Sequence, residues 1–415
     1  MTAAASPDDL RRSLGARDAV MVGLGAMLGA GVFAALAPAA RAAGSALLIG
    51  LLLAAVVAYC NARSSARLAV LYPTSGGTYV YGRRRLGDFW GYLAGWGFVV
   101  GKTASCAAMA LTVGFYAWPA HAHLVAVVAV AGVTAVNCTG VEKSAWLTRV
   151  IVGLVVAVLV AVVVAALASG AAVTERLSVG SVPAGGVLEA AGLLFFAFAG
   201  YARIATLGEE VSDPTRVIPR AILVALGIAL VLYSAVAVAV LAVLGAGRLR
   251  DSVAPLMDAV AAAGVPWLVP VVGAGAVVAA TGSLLALLLG VSRTTLAMAR
   301  DGHLPRVLAA VHPRFKVPHR AEVAIGVVVA VLAATADVRS AIGFSSFAVL
   351  VYYAVANASA FTLGSGMRSR ALPVIGMLGC VVLAGALPIE SVVSGVAVLA
   401  LGALVYWARS IRAGG

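Results

Sequence analysis

Gly23-Leu24-Gly25-Ala26-Met27-Leu28-Gly29-Ala30-Gly31-Val32-Phe33 lies in the middle of the first long apolar stretch and carries glycines but no charge. A continuous transmembrane helix is weakened by Gly29-Ala30-Gly31 at its midpoint, because glycine loses the most backbone entropy on ordering. A helix that stops and restarts at mid-depth has a use for it. Non-helical backbone inside a bilayer is tolerated only where it is buried in protein or lines a cavity, so the stretch points to a ligand site. The competing reading is close packing of helices through small residues, which uses the same glycines.

The surrounding chain makes the membrane assignment. Of 415 residues, 63% are hydrophobic and 11% charged, with mean hydropathy +1.07. Soluble domains are roughly half apolar and a quarter charged. The net charge of +13 would suggest nucleic acid in a soluble chain, but here the basic residues are assigned to loops on one side of a membrane and no nucleic-acid partner is expected. Cys60, Cys106, Cys138 and Cys380 are scattered and form no disulfide framework or metal motif. Residues 1 to 18 lack an apolar signal core, so the first span is expected to remain in the protein.

Apolar runs of about 17 to 25 residues can cross a bilayer, and the pattern predicts about twelve. They fall at about 19–40, 44–66, 88–116, 122–139, 146–168, 187–208, 218–244, 267–292, 321–336, 339–363, 371–386 and 389–408, the last two being the shortest. An N-terminus inside the cell places most basic residues in the cytoplasm, among them Arg83, Arg84, Arg85, Arg293, Arg300, Arg306, Arg314, Lys316 and Arg320. It leaves Arg41, Arg176, Arg248, Arg250 and Arg339 outside. Both termini are therefore expected in the cytoplasm and the chain in the cytoplasmic membrane, with lipid as its surroundings. Loop 67–87 is turn-rich, loop 245–266 has room for a short external helix around Ala254 to Ala263, and no linker marks a second domain in 1–415.

The sixth span, Leu193-Leu194-Phe195-Phe196-Ala197-Phe198-Ala199-Gly200-Tyr201-Ala202-Arg203, has a second small-residue interruption. Spans one and six open two successive groups of five, and an odd number inverts the second group relative to the first. Interruptions at matching positions of two halves are the best sequence pointer to a transporter site.

These residues carry a family resemblance. Gly25-Ala26-Met27-Leu28-Gly29-Ala30-Gly31-Val32-Phe33, Tyr72-Pro73-Thr74-Ser75-Gly76-Gly77-Thr78-Tyr79 and Phe196-Ala197-Phe198-Ala199-Gly200-Tyr201 resemble the amino acid, polyamine and organocation (APC) transporter superfamily. So do Glu209-Glu210-Val211-Ser212-Asp213-Pro214-Thr215-Arg216-Val217-Ile218-Pro219-Arg220 and Ala299-Arg300-Asp301-Gly302-His303-Leu304-Pro305. The resemblance implies an all-α LeuT-like 5+5 inverted repeat with spans one and six broken. Repeat one runs about 19–168, repeat two about 187–363, and two accessory helices about 371–408, the whole working by alternating access.

A break at Gly29 leaves the N–H groups of Gly29, Ala30, Gly31 and Val32 free at a helix start, which suits an amino acid's carboxylate. Carbonyls around Ala26 and Met27, and those of Phe196, Ala197 and Phe198 with the neighbouring Ala199, suit its ammonium group. The resemblance implies the same backbone poles. Phe33, Phe196, Phe198 and Tyr201 line the pocket, gate it, or simply pack. Glu189, Glu209, Glu210 and Glu322 fall near span ends. With no carboxylate at mid-depth to pair a distal cation, and with Ala202 where several relatives carry an acid, the expected substrate is a small neutral amino acid. An amino acid/polyamine antiporter and a non-transporting sensor are the alternatives.

Lys102 lies about fourteen residues into span three, too deep to snorkel comfortably. It is a proton carrier, a fixed cation near the pocket, or a structural lysine hydrogen-bonded to broken-helix carbonyls. Some proton-coupled relatives carry a lysine in span five, where this chain has Val155. Thr281 and Ser283 are weak hydroxyl candidates for sodium, and Arg203 a partner for Glu209. No enzyme constellation, metal motif or cofactor site is read from the spans, and the oligomeric state is not readable.

Overall fold

Each long apolar run of the sequence becomes a helix, because in hydrocarbon every backbone N–H and C=O must be satisfied within its own segment. The computed structural model describes residues 14–73, 76–140, 145–180, 183–205, 207, 211–364 and 366–414, and among them seventeen α-helices are found and no β-strand. The first five are α1 (Ala16–Met27), α2 (Ala30–Ala34), α3 (Leu36–Ala43), α4 (Leu47–Leu71) and α5 (Thr78–Leu86). Next come α6 (Asp88–Ala117), α7 (Ala122–Cys138), α8 (Ala145–Ala168), α9 (Ala184–Phe198), α10 (Ala202–Ala205) and α11 (Pro214–Asp251). The chain ends with α12 (Pro255–Ala262), α13 (Val269–Arg300), α14 (His319–Thr335), α15 (Val338–Phe361), α16 (Met367–Ala386) and α17 (Ile389–Gly414).

Eleven helical segments among the described residues are long and apolar enough to cross a membrane. The twelfth apolar run forms α14, whose 17 residues rise about 26 Å, at the short end of the lengths that cross a hydrocarbon core. The two C-terminal spans are longer than the sequence pattern suggested, at 20 and 26 residues. The short external helix is present as α12.

α6 is the central post. It is buried along nearly its whole length and packs against α13 and α15. Small residues permit this: Gly91, Ala94, Gly95, Gly97, Gly101, Ala104, Ala107 and Ala108 let neighbouring helices approach, as expected where packing rather than hydrophobicity joins helices. The outer faces of α7, α8, α11 and α16 present Leu124, Val128, Val164, Val231 and Val381 to the surroundings. In water such a surface would be an aggregation liability, and against lipid tails it is the matched one.

Span one comprises α1, α2 and α3. Its first break falls at Leu28 and Gly29, where Leu28 N–H still bonds to Leu24 O at 2.7 Å and Gly29 turns to φ −88°, ψ −136°. Span six behaves differently from the gap suggested by its sequence. It tightens into a 3₁₀ turn at Ala199–Tyr201 and resumes as α10. Arg203 lies in α10, whereas its proposed partner Glu209, like Glu210, falls outside the described residues.

Candidate functional site

The two interruptions cross in direct backbone contact. A Cβ on Gly31 would lie 2.5 Å from Ala197 Cα, and one on Gly200 would lie 2.3 Å from the Ala26 carbonyl oxygen. Neither glycine is needed for a left-handed conformation; each is needed for the space it leaves. Break and small-residue packing are therefore one device. The close approach brings the C-terminal end of α1 against the C-terminal end of α9, so carbonyls of both converge.

Four side chains from other spans bind those carbonyls. The Tyr233 hydroxyl, on α11 and 3% exposed, lies 2.6 Å from Met27 O and 3.1 Å from Ala197 O. Its single proton serves one acceptor fully at a time. Lys102 Nζ donates to Ala199 O at 3.5 Å, and the Tyr353 hydroxyl donates to the same oxygen at 3.3 Å. Lys102 is 6% exposed. On α13, the Ser283 hydroxyl donates to Gly25 O at 2.8 Å. Tyr116 donates to Phe33 O at 2.9 Å above the break.

These contacts sort the expected site residues. Met27, Gly29, Ala30, Gly31 and Val32 are buried at the crossing with Phe196, Ala197, Phe198, Ala199 and Tyr201, while Ala26 is half-buried. Tyr201 stacks on Tyr353 with ring centroids 5.1 Å apart, and Phe198 meets the Tyr233 ring edge-on at 5.2 Å. Ser283 faces the span-one break, but Thr281 does not share its face, since residues two apart on a helix point to different sides. Val155 is buried at 2% exposure. Tyr233, Tyr353 and Tyr116 were missed in the sequence. A tyrosine in the largely aliphatic run Leu230 to Val236 was the available signal for Tyr233, because a buried tyrosine O–H needs a partner.

A cavity of about 170 Å³ opens beyond the crossing, lined among others by Ala34, Thr112, Tyr116, Arg41, Asp337 and Arg339. Its arginines are tied to the protein: Arg41 donates to Arg250 O at 2.9 Å, and Arg339 to Glu189 Oε1 at 2.8 Å. At the opposite end, elements distant in sequence are tied together. Arg149 pairs with Asp18 through Nε at 3.1 Å, and Ser212 N donates to Leu14 O at 3.1 Å.

On that end α5 is latched to the chain after α13. Tyr79 donates to Asp301 Oδ2 at 2.5 Å, Arg83 Nη1 donates to the same oxygen at 2.7 Å, and His303 Nδ1 lies 2.9 Å from the Tyr79 oxygen. Since the Tyr79 proton goes to Asp301, His303 donates from Nδ1. Burial, and then the nearby Arg83 guanidinium, hold His303 below the ordinary histidine value despite Asp301 and Asp88. A histidine kept neutral by the fold contributes stability that is present above its unfolded value of about 6.5 and lost as pH falls through it. Melting curves should therefore show the wild type losing more stability than His303→Gln between about pH 7.5 and about pH 5.5. Equal losses would remove His303 from the latch.

A multi-pass helical bundle in which two interrupted spans cross in backbone contact is the architecture of a membrane transporter for a small molecule. The chain belongs to the amino acid permease family, whose profile matches residues 18–384. It is 71% identical over 408 residues to an uncharacterized transporter of Mycobacterium tuberculosis, covering 98% of this chain and 93% of that one. It is also 31% identical over 365 residues to a vacuolar cationic amino acid transporter of Arabidopsis thaliana, covering 80% of this chain and 60% of the relative. A branched-chain amino acid permease of Bacillus subtilis is 27% identical over 358 residues, covering 80% and 76%.

Proposed function

We propose that the protein carries a small neutral amino acid across the cytoplasmic membrane by alternating access, as a proton-coupled carrier or an exchanger, with both termini in the cytoplasm. The observation that carries this reading is the crossing itself: a helix start at Ala30 next to the converging carbonyls of Met27 and Ala197, which share the single Tyr233 proton and keep acceptor capacity. Unpaired N–H groups at the start of α2 suit a carboxylate, and the carbonyls suit an ammonium group. Ala202, buried at 8% exposure, supplies no carboxylate for a distal cation, so arginine, lysine and polyamines would bring a charge with no counter-charge there. Lys102 acts in this reading as a fixed cation that holds the span-six turn through Ala199 O.

Neutral L-amino acids are expected to raise the melting temperature of the purified protein, because a ligand stabilises the state it binds by about 2.7 kcal/mol at a hundredfold excess over Kd. The same compounds should show counterflow in proteoliposomes. Stabilisation by arginine or a polyamine alone would overturn the neutral reading, and binding without any flux would make the protein a sensor.

A further inference from the structure

We propose that Glu322 is a proton-binding site whose occupancy is communicated to the break in span one. Glu322 lies in the first turn of α14 and is 1% exposed. Its Oε1 accepts from Asn137 Nδ2 on α7 at 2.6 Å. Its Oε2 is buried and, among the described residues, has no hydrogen-bond partner, for the adjacent Ser292 hydroxyl donates to Leu289 O at 3.0 Å. An ionised carboxylate has about four acceptor positions to satisfy. Leaving one whole oxygen dry is costly for the anion and much less so for the neutral acid.

The surroundings support proton exchange. The field of Arg293 on α13 favours the anion, while Cys106 on α6 and Cys138 on α7 stand close enough to interact with Glu322. His319 lies three residues before Glu322 and shares its helix face. The buried His319 Nδ1 has no partner among the described residues, and its ring stands edge-on to His312 at 5.4 Å. Arg314, Lys316 and Arg320 surround this pair in sequence. A proton taken up from water at Oε2 converts the carboxylate to the acid with no other bond made or broken.

Two hydrogen bonds tie α13 to this site on one side and to the crossing on the other. Asn137 Nδ2 also donates to Leu285 O on α13 at 3.2 Å, and two residues earlier Ser283 donates to Gly25 O in α1 at 2.8 Å. Protonation removes the charge that holds the Asn137 amide against Glu322 and releases it toward Leu285 O. The helix that grips span one thus senses the proton.

The proposal rests on the transport reading only for its link to flux, so two readouts are needed. Difference infrared spectra of the purified protein between acid and alkaline pH should show a protonated-carboxyl band that Glu322→Gln abolishes and Lys102→Met keeps. In proteoliposomes, wild-type counterflow should change about tenfold with pH on the side of the basic loop, as expected when one group must be protonated. Glu322→Gln should respond less than about twofold. Asn137→Leu, which removes a donor to the anion, should move the midpoint to higher pH. It also serves as the test variant if Glu322→Gln does not accumulate. A carboxyl band unchanged in Glu322→Gln, or a midpoint unmoved in Asn137→Leu, overturns the assignment. If no substrate moves in any variant, the infrared band decides the proton site and the loss falls on the transport reading alone.

Discussion

Gly200→Ala is expected to abolish counterflow and lower thermal stability, and Gly31→Ala to do the same. The added methyl at position 200 would sit 2.3 Å from Ala26 O and 2.5 Å from Ala26 C, and at position 31 it would sit 2.5 Å from Ala197 Cα. These neighbours are backbone atoms, which cannot rotate away as a side-chain tip can. Overpacking of this kind costs about 1 to 3 kcal/mol even where some repacking is possible. The larger effect falls on function, since separating spans one and six pulls apart the carbonyls that Tyr233 now bridges. Gly227→Ala on α11 is the control: nothing lies within 4 Å of its built Cβ, and alanine in a helix is favoured over glycine by up to about 1 kcal/mol. Full counterflow in Gly200→Ala would mean that the backbone contact is not part of the carrier cycle.

Lys102→Met should reduce counterflow by at least about tenfold while leaving the shape of its pH profile unchanged. The substitution preserves most of the side-chain volume but removes the ammonium group that reaches Ala199 O at 3.5 Å. The contact is long for a hydrogen bond, so the effect comes chiefly from removing a buried positive charge beside the turn at which span six is interrupted. Tyr353 remains on the same oxygen, so the variant is expected to fold. Loss of pH dependence in Lys102→Met, together with its retention in Glu322→Gln, would exchange the roles assigned to the two residues and make Lys102 the proton carrier.

The span pattern was legible because hydropathy over a bilayer thickness is a property of contiguous sequence. The failures are instructive. The run 321–336 forms α14, which stops at Thr335 after 17 residues because the turn before the Asp337 N-cap of α15 follows at once; what the run did not show is how its first turn is buried. Glu322 was placed at a span end and thereby treated as an ordinary terminal acid. Its burial depends on α7 delivering Asn137 and α13 delivering Ser292, and no local window contains those helices. Likewise Thr281 and Ser283 look equivalent as hydroxyls, and only helix rotation directs Ser283 to Gly25 O.

The sequence by itself determined that this chain crosses a membrane many times, that spans one and six are interrupted by small residues, and that it resembles amino acid permeases. Those properties are local or additive along the chain. Tertiary structure alone decided what the glycines are for and which groups meet the interrupted backbone. Gly31 and Gly200 make room for a backbone crossing, while Tyr233, Lys102, Tyr353 and Ser283 arrive from spans far away in sequence to satisfy its carbonyls. The physical reason is that a buried carbonyl requires a donor but does not specify which. Helix rotation and close packing of the whole bundle make that choice.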